Sequence, residues 1–154
     1  MKHSLMIFII LGLSLAFTTD LKLPEILPIE EGAYDRISSG YGMRIHHVLK
    51  EKRFHQGVDF AAPLGTPVRA TADGEIIEAA FKKNTYGNMV RIKHDNGVET
   101  LYAQLQDYTV QEGQKVQRGE MVGHVGNSGM STAPHLHYEV KIDGRTVNPI
   151  YSQP

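Results

Sequence analysis

Two short runs in this 154-residue chain hold residue types that could bind a metal: His55-Gln-Gly-Val-Asp59 and His135-Leu-His137. In a β-strand, side chains at i and i+2, or i and i+4, point to one face. Each run can therefore present two ligand-type groups on one side of a sheet. Two neutral imidazoles and a carboxylate form the three-ligand set typical of catalytic zinc, with a fourth position left for water. A closed structural site would draw on cysteine, and the chain has none. The chemistry this points to is metal-assisted hydrolysis. A single histidine on a strand is more often a packing or surface residue. The weight here comes from two runs together, with Phe54, Gly57 and Val58 around the first and Ala133-Pro134 leading into the second. Spacing leaves open which of His135 and His137 is a ligand, because an HxH pair can also bind jointly.

The elements that would position these groups are strands. Asn88 to His94 alternates in polarity, meets an Asp95-Asn96-Gly97 turn and returns as Val98-Glu-Thr-Leu-Tyr-Ala103. Thr66 to Ala79 reads as two strands around an Asp73-Gly74 turn. Lys115-Val116, Glu120 to Val125 and His135 to Ile142 are further strands, and Asp143-Gly144 closes a hairpin. Outside the N-terminus no segment has a sustained 3.6-residue apolar period. The expectation is an all-β, single compact domain of antiparallel sheets.

Composition bounds the rest. Apolar residues make up 41% of the chain, enough for a core in one domain. A formal net charge of −1 gives no basic footprint for nucleic acid. The N-terminus reads as a signal peptide, residues 1–16. A short basic start precedes an apolar run from Leu5 to Phe17, too short for the about 20 residues of a membrane span. Small residues at Ser14 and Ala16 suit cleavage after Ala16. Residues 17–35 hold two prolines and no clear period, and read as an arm or linker. The domain is expected over 36–150, with 151–154 as a tail. The mature protein is expected to be exported to a periplasm, wall or medium, with no membrane attachment once the signal is removed.

Several further blocks accompany the two metal-ligand runs. They include Ser39-Gly-Tyr-Gly-Met-Arg44, Phe54 to Val68, Ala72-Asp-Gly74, Tyr86-Gly-Asn88, Thr100-Leu-Tyr-Ala103, Gly119 to Gly123, Gly126-Asn-Ser-Gly129 and Pro134-His-Leu-His-Tyr-Glu139. In this order they closely resemble the lysostaphin-like (LytM-type) zinc endopeptidases that cut peptidoglycan cross-links. The resemblance implies a carrier-domain-like β-sandwich with a central groove and one zinc ion. It implies that His55, Asp59 and His137 are the ligands and that His135 is a catalytic neighbour. Arg44, Asn88 and Tyr102 are candidates for the substrate groove; the alternatives are a carboxylate pair for Arg44, a glycine turn at Gly87-Asn88, and cross-strand packing for Tyr102, which is the preferred reading there. One position departs from the pattern. Where the family has a second non-ligand histidine, this chain has Gln104, which cannot take up a proton. Loss of a general base there would lower the rate about 10²–10⁴-fold.

Two functions follow as expectations. The first is an exported zinc endopeptidase acting on peptidoglycan peptides. The second is a catalytically impaired relative that binds the wall or activates another wall hydrolase. A carrier role, suggested by the texture of Gly113 to Gly123, lacks the exposed lysine hairpin that would carry a cofactor. His94 and His124 read as structural or surface groups, and His46-His47 as a loop that could approach the site.

Overall fold

A computed structural model describes residues 23–46 and 49–150; the expected signal peptide and residues 151–154 lie outside them. Among the described residues are twelve strands and one 3₁₀ turn, Asp95–Gly97. The strands are β1 (Arg36–Ser39), β2 (Gly42–Ile45), β3 (Lys52–His55), β4 (Val58–Ala61), β5 (Pro67–Arg69), β6 (Gly74–Lys82), β7 (Gly87–Lys93), β8 (Val98–Tyr108), β9 (Lys115–Val116), β10 (Met121–Val125), β11 (His135–Ile142) and β12 (Arg145–Val147). Ten form one antiparallel sheet with the main order β1-β4-β11-β8-β7-β6-β9, and β2 and β3 form a separate hairpin. The domain is all-β and antiparallel, as its alternating polarity predicts. No helix among the described residues is long and apolar enough to cross a membrane.

Period-2 alternation divides the sheet into two faces. Leu136, Tyr138 and Val140 of β11 turn to the main core, with Val58 and Phe60 of β4 beside them, all 0–1% exposed. Burying a side chain such as Phe60 contributes about 1.5–3 kcal/mol. His135, His137 and Glu139 alternate with these and turn to the other face. There a smaller cluster of Met89, Leu101 and Ala103, with Tyr86 against it, forms the floor. Residues 23–35 contain no helix or strand but lie on the main core. Ile29 is fully buried, Tyr34 meets Phe60 edge to face at 5.1 Å, and the Arg69 N–H donates to the Pro28 carbonyl.

The β11–β12 hairpin closes at Asp143-Gly144 as expected, with φ of 49° and 77°. Positive φ at both turn residues is the signature of a two-residue type I′ turn. The Asp73-Gly74 segment differs from expectation. β5 pairs with β10, whereas β6 pairs with β7 and β9. The residues between them cross the core instead of turning back. Thr71 is fully buried and hydrogen-bonded to Tyr102, and Ala70 bonds to Glu120 and Gly119.

Candidate metal centre

The site forms where β4, β8 and β11 run side by side and the β2–β3 hairpin closes against them. In the register, His137 of β11 lies opposite Asp59 of β4 on one side and Ala103 of β8 on the other. His55 does not share a strand with Asp59, as the single-strand reading of that spacing had it. It ends β3, in the other sheet, and Gln56-Gly57 carry the chain across to β4. Only glycine fits at 57, because a Cβ there would lie 2.2 Å from the Tyr138 carbonyl oxygen.

Three ligand-type atoms converge. His55 Nε2 lies 3.1 Å from His137 Nδ1 and 3.2 Å from Asp59 Oδ1, and His137 Nδ1 lies 2.8 Å from Asp59 Oδ1. The three residues are 7–8% exposed. Their outer ring nitrogens fix the tautomers. The His55 Nδ1–H donates to the Gly40 carbonyl at 2.7 Å, and the His137 Nε2–H donates to Glu139 Oε1 at 3.0 Å. The inner nitrogens are then lone pairs, facing each other and a carboxylate oxygen. Such a convergence of acceptors calls for a cation at its centre. The separations fall within about half an ångström of the ~3.3 Å edge of a tetrahedron with ~2.0–2.1 Å bonds. The residues fit zinc, and His55, Asp59 and His137 could hold it.

Protons respond to the same geometry. With no cation bound, burial works against a charged His137, but hydrogen bonds to Asp59 and Glu139 outweigh it and push the imidazole up to about 9, so that Nδ1 then carries the proton a metal would displace. Burial would raise the Asp59 carboxyl, yet the two imidazoles hold it well below the carboxylate range. Glu139 is likewise lowered against its burial, chiefly by His137, and its Oε1 also accepts from the Tyr86 hydroxyl at 2.8 Å. Burial and then the Glu139 charge push the Tyr86 phenol upward.

His135 stands beside the cluster. Its Nδ1–H donates to the Ala133 carbonyl at 2.8 Å, with Ser131 Oγ at 3.1 Å. Its Nε2 therefore carries a lone pair, and it lies 3.9 Å from Asp59 Oδ1. It is outside the three-residue group and close enough to act on what that group holds.

Gln104 reaches the groove through a β-bulge. Val90 pairs with Tyr102 and Asn88 with Leu105, so Ala103 and Gln104 together face Met89. Gln104 takes a left-handed φ of 58°, which costs about 1–2 kcal/mol for a residue with a Cβ. The bulge re-aims the strand. Leu105 falls into the main core, and Gln104 turns to the groove face. Its N–H donates to the Tyr86 carbonyl and its Nε2 to the Thr85 carbonyl, while its Oε1 is buried without a partner.

The other expected groove residues separate. Arg44 lines the groove, a cleft of about 310 Å³, with Arg53, Thr85, Tyr86 and Ser131. Asn88 commits its amide to the Leu105 and Gln106 carbonyls beside the bulge. Tyr102 is corrected: it is fully buried on the opposite face of β8, bonded to Thr71 and Thr100, and belongs to the core. His46 lines the groove, and His47 lies outside the described residues. His94 is buried, and His124 pairs with Asp107 at 2.7 Å. Sequence reading assigned no role to Glu139 or Tyr86. The signal for Glu139 was present, since a carboxylate at i+2 from His137 on one strand faces the same way.

Comparison with known proteins agrees with this geometry. Residues 53–149 match the profile described as Peptidase family M23. The DD-carboxypeptidase/endopeptidase Mpg of Neisseria meningitidis is 54% identical over 122 residues, 79% of this chain and 28% of that protein. The peptidoglycan DD-endopeptidase ShyA of Vibrio cholerae is 45% identical over 115 residues, 73% of this chain and 26% of that protein. Among solved structures, a zinc-containing peptidase from Vibrio cholerae superimposes with a TM-score of 0.76 at 35% identity, over 84% of this chain and 40% of that one. The catalytic domain of lysostaphin from Staphylococcus simulans gives 0.68 at 32% identity, over 77% and 90%. The chain spans about a quarter of the length of the curated relatives it matches.

Proposed function

The chain belongs to peptidase family M23, and from that membership we propose that it is an exported zinc endopeptidase that hydrolyses peptide cross-links of peptidoglycan. One observation carries the reading: His55, Asp59 and His137 aim three acceptor atoms at one point on the floor of an open groove, with the free Nε2 of His135 beside them. The names of the relatives, DD-carboxypeptidase/endopeptidase and peptidoglycan DD-endopeptidase, direct it to DD bonds. The apolar run Leu5 to Phe17 supports export.

A bound zinc ion would supply a water of near-neutral pKa and a polarised scissile carbonyl. The side chains account for positioning and proton movement. Gly40 and Glu139 hold the two ligand imidazoles in the tautomers that binding needs. His135 Nε2 is oriented to take a proton from the attacking water and return it to the leaving amine, so that the amide becomes an acid and an amine. Gln104 cannot relay a proton. Its amide is held by the Thr85 carbonyl at the groove wall, and its Oε1 keeps an unused capacity to accept a hydrogen bond. The proton work then falls to His135 alone.

Gln104 also favours a second reading, a domain that binds peptidoglycan with little turnover and acts on the wall or on another hydrolase. The intact ligand set favours the enzyme. The deciding experiment is release of new amino termini from purified peptidoglycan by the zinc-loaded protein, beside Gln104→His and His137→Ala. Turnover lost only in His137→Ala supports an endopeptidase that works with one histidine. No turnover in the unaltered protein, with activity in Gln104→His, supports the second reading.

A further inference from the structure

Arg44 faces one carboxylate, Asp59, and that carboxylate is shared with the metal-ligand cluster. It lies on β2, in the hairpin that walls the groove, with its side chain 22% exposed. A guanidinium does not shed its proton. Two of its three nitrogens, Nε and Nη1, are buried without a hydrogen-bond partner. Nη2 approaches Asp59 Oδ2 only to 3.7 Å, beyond hydrogen-bond range. Asp59 is engaged through Oδ1 with both imidazoles. A dication held there adds positive charge beside Arg44. Glu139 is taken by His137 and Tyr86. Arg53, also in the groove, already has Glu51 at 2.6 Å. Among the described groove residues Arg44 has the weakest hold on an anion, a single 3.7 Å approach to a carboxylate that a metal would also claim.

We propose that Arg44 binds a carboxylate of the substrate, on the residue next to the scissile amide, and so selects an acidic peptide over its neutral counterpart. The proposal rests on the peptidase reading above. The contact with Asp59 places the guanidinium beside the ligand cluster. An anion held on it would lie in the groove beside the ligand cluster, within reach of a residue flanking the bond that the cluster acts on. Buried donors left unpaired are costly, and hydrogen bonds to a charged partner are the strong ones. Nη2 is the one guanidinium nitrogen not closed off from the groove, and a carboxylate meets it with a full charge where a neutral peptide offers only a carbonyl dipole.

The test uses two synthetic peptides with the same scissile amide. In one the flanking residue has a free carboxylate, and in the other that group is a primary amide. Dissociation constants are measured with the full chain carrying His135→Ala, and kcat/KM with the zinc-loaded parent. Each is repeated with Arg44→Gln and Arg44→Lys. The expected result is a preference of about 10- to 100-fold for the free carboxylate in both readouts. The ratio should fall to near one in Arg44→Gln and be partly kept in Arg44→Lys. Because the ratio is internal to each variant, a loss of folded protein does not imitate the effect. Equal binding and cleavage of the two peptides by the parent, or a preference that survives Arg44→Gln, overturns the proposal and leaves the peptidase reading standing. Cleavage of neither peptide by the loaded parent overturns the peptidase reading and the assignment built on it.

Discussion

His137 and His94 are both buried, at 8% and 5% exposure, and both use each ring nitrogen, yet they sit in opposite environments. His94 Nδ1–H donates to the Asp73 carbonyl, and its Nε2 lies 2.7 Å from Thr100 Oγ1. Beyond Thr100 the hydroxyls of Tyr102, Thr71 and Tyr138 follow at 3.0–3.1 Å. All these groups are neutral and satisfy one another. Burial lowers the His94 pKa despite the Asp73 carbonyl. His137 lies on the other face of the same sheet, between two carboxylates. Among the described residues five buried side-chain atoms lack a partner, and four belong to Arg44, Gln104 and Glu139 around the groove. A polar network that closes on itself holds a fold together. One that is charged and left unclosed costs the fold stability and marks a site with another task.

If that contrast is right, substitution on the groove face should remove function and spare the fold, and substitution on the core face should do the reverse. The largest effect belongs to His137→Ala, which should lose stoichiometric zinc, measured by elemental analysis, and all turnover. Full zinc retention would break the ligand assignment. His135→Ala should keep the zinc and lower kcat about 10²–10⁴-fold; loss of zinc there would make it a ligand. Glu139→Gln should weaken zinc affinity about 10–100-fold in a chelator competition; unchanged affinity would mean that Glu139 does not orient the His137 ring. On the core face, Tyr102→Phe removes the hydroxyl that Thr71 and Thr100 share. It should cost about 1–3 kcal/mol of unfolding free energy at full zinc occupancy, and a fall in zinc occupancy would blur the two regions.

The smallest effect is the most discriminating, because the two histidines should give pH limbs of opposite sign. In the metal-free protein His137 is raised from the ordinary 6.5 to about 9. Its contribution is full below 6.5 and is lost as pH rises through about 9. His94 is lowered from 6.5, so its contribution is full above 6.5 and is lost on acidification. Urea midpoints across pH, with chelator present, should show His137→Ala flattening the alkaline limb and His94→Gln the acid one. An alkaline limb that persists in His137→Ala would place its proton elsewhere.

The strands and their alternation were legible because period-2 patterning is local. β7, β8 and β11 fell where polarity alternates, and the Asp143-Gly144 turn where positive φ is tolerated. The β5–β6 segment was not legible as a crossing, since what rules out a hairpin is the burial of Thr71 against Tyr102, thirty-one residues later. Tyr102 itself matched a groove motif, but its face depends on which neighbour it pairs with, and Tyr138 lies directly across from it.

Sequence alone determined which side chains could ligate a metal, because ligand type is a property of side chains, and HxH spacing on a strand puts both histidines on one face. It also determined that position 104 cannot relay a proton. Tertiary structure decided the rest. It brought His55 from a separate hairpin to Asp59, and distinguished His137 from His135 by the partner each outer nitrogen finds. It turned Gln104 to the groove through one extra residue in β8, and left Arg44 with only a long contact to Asp59. These outcomes depend on strand pairing over tens of residues, and a one-residue shift in register exchanges the two faces of a strand.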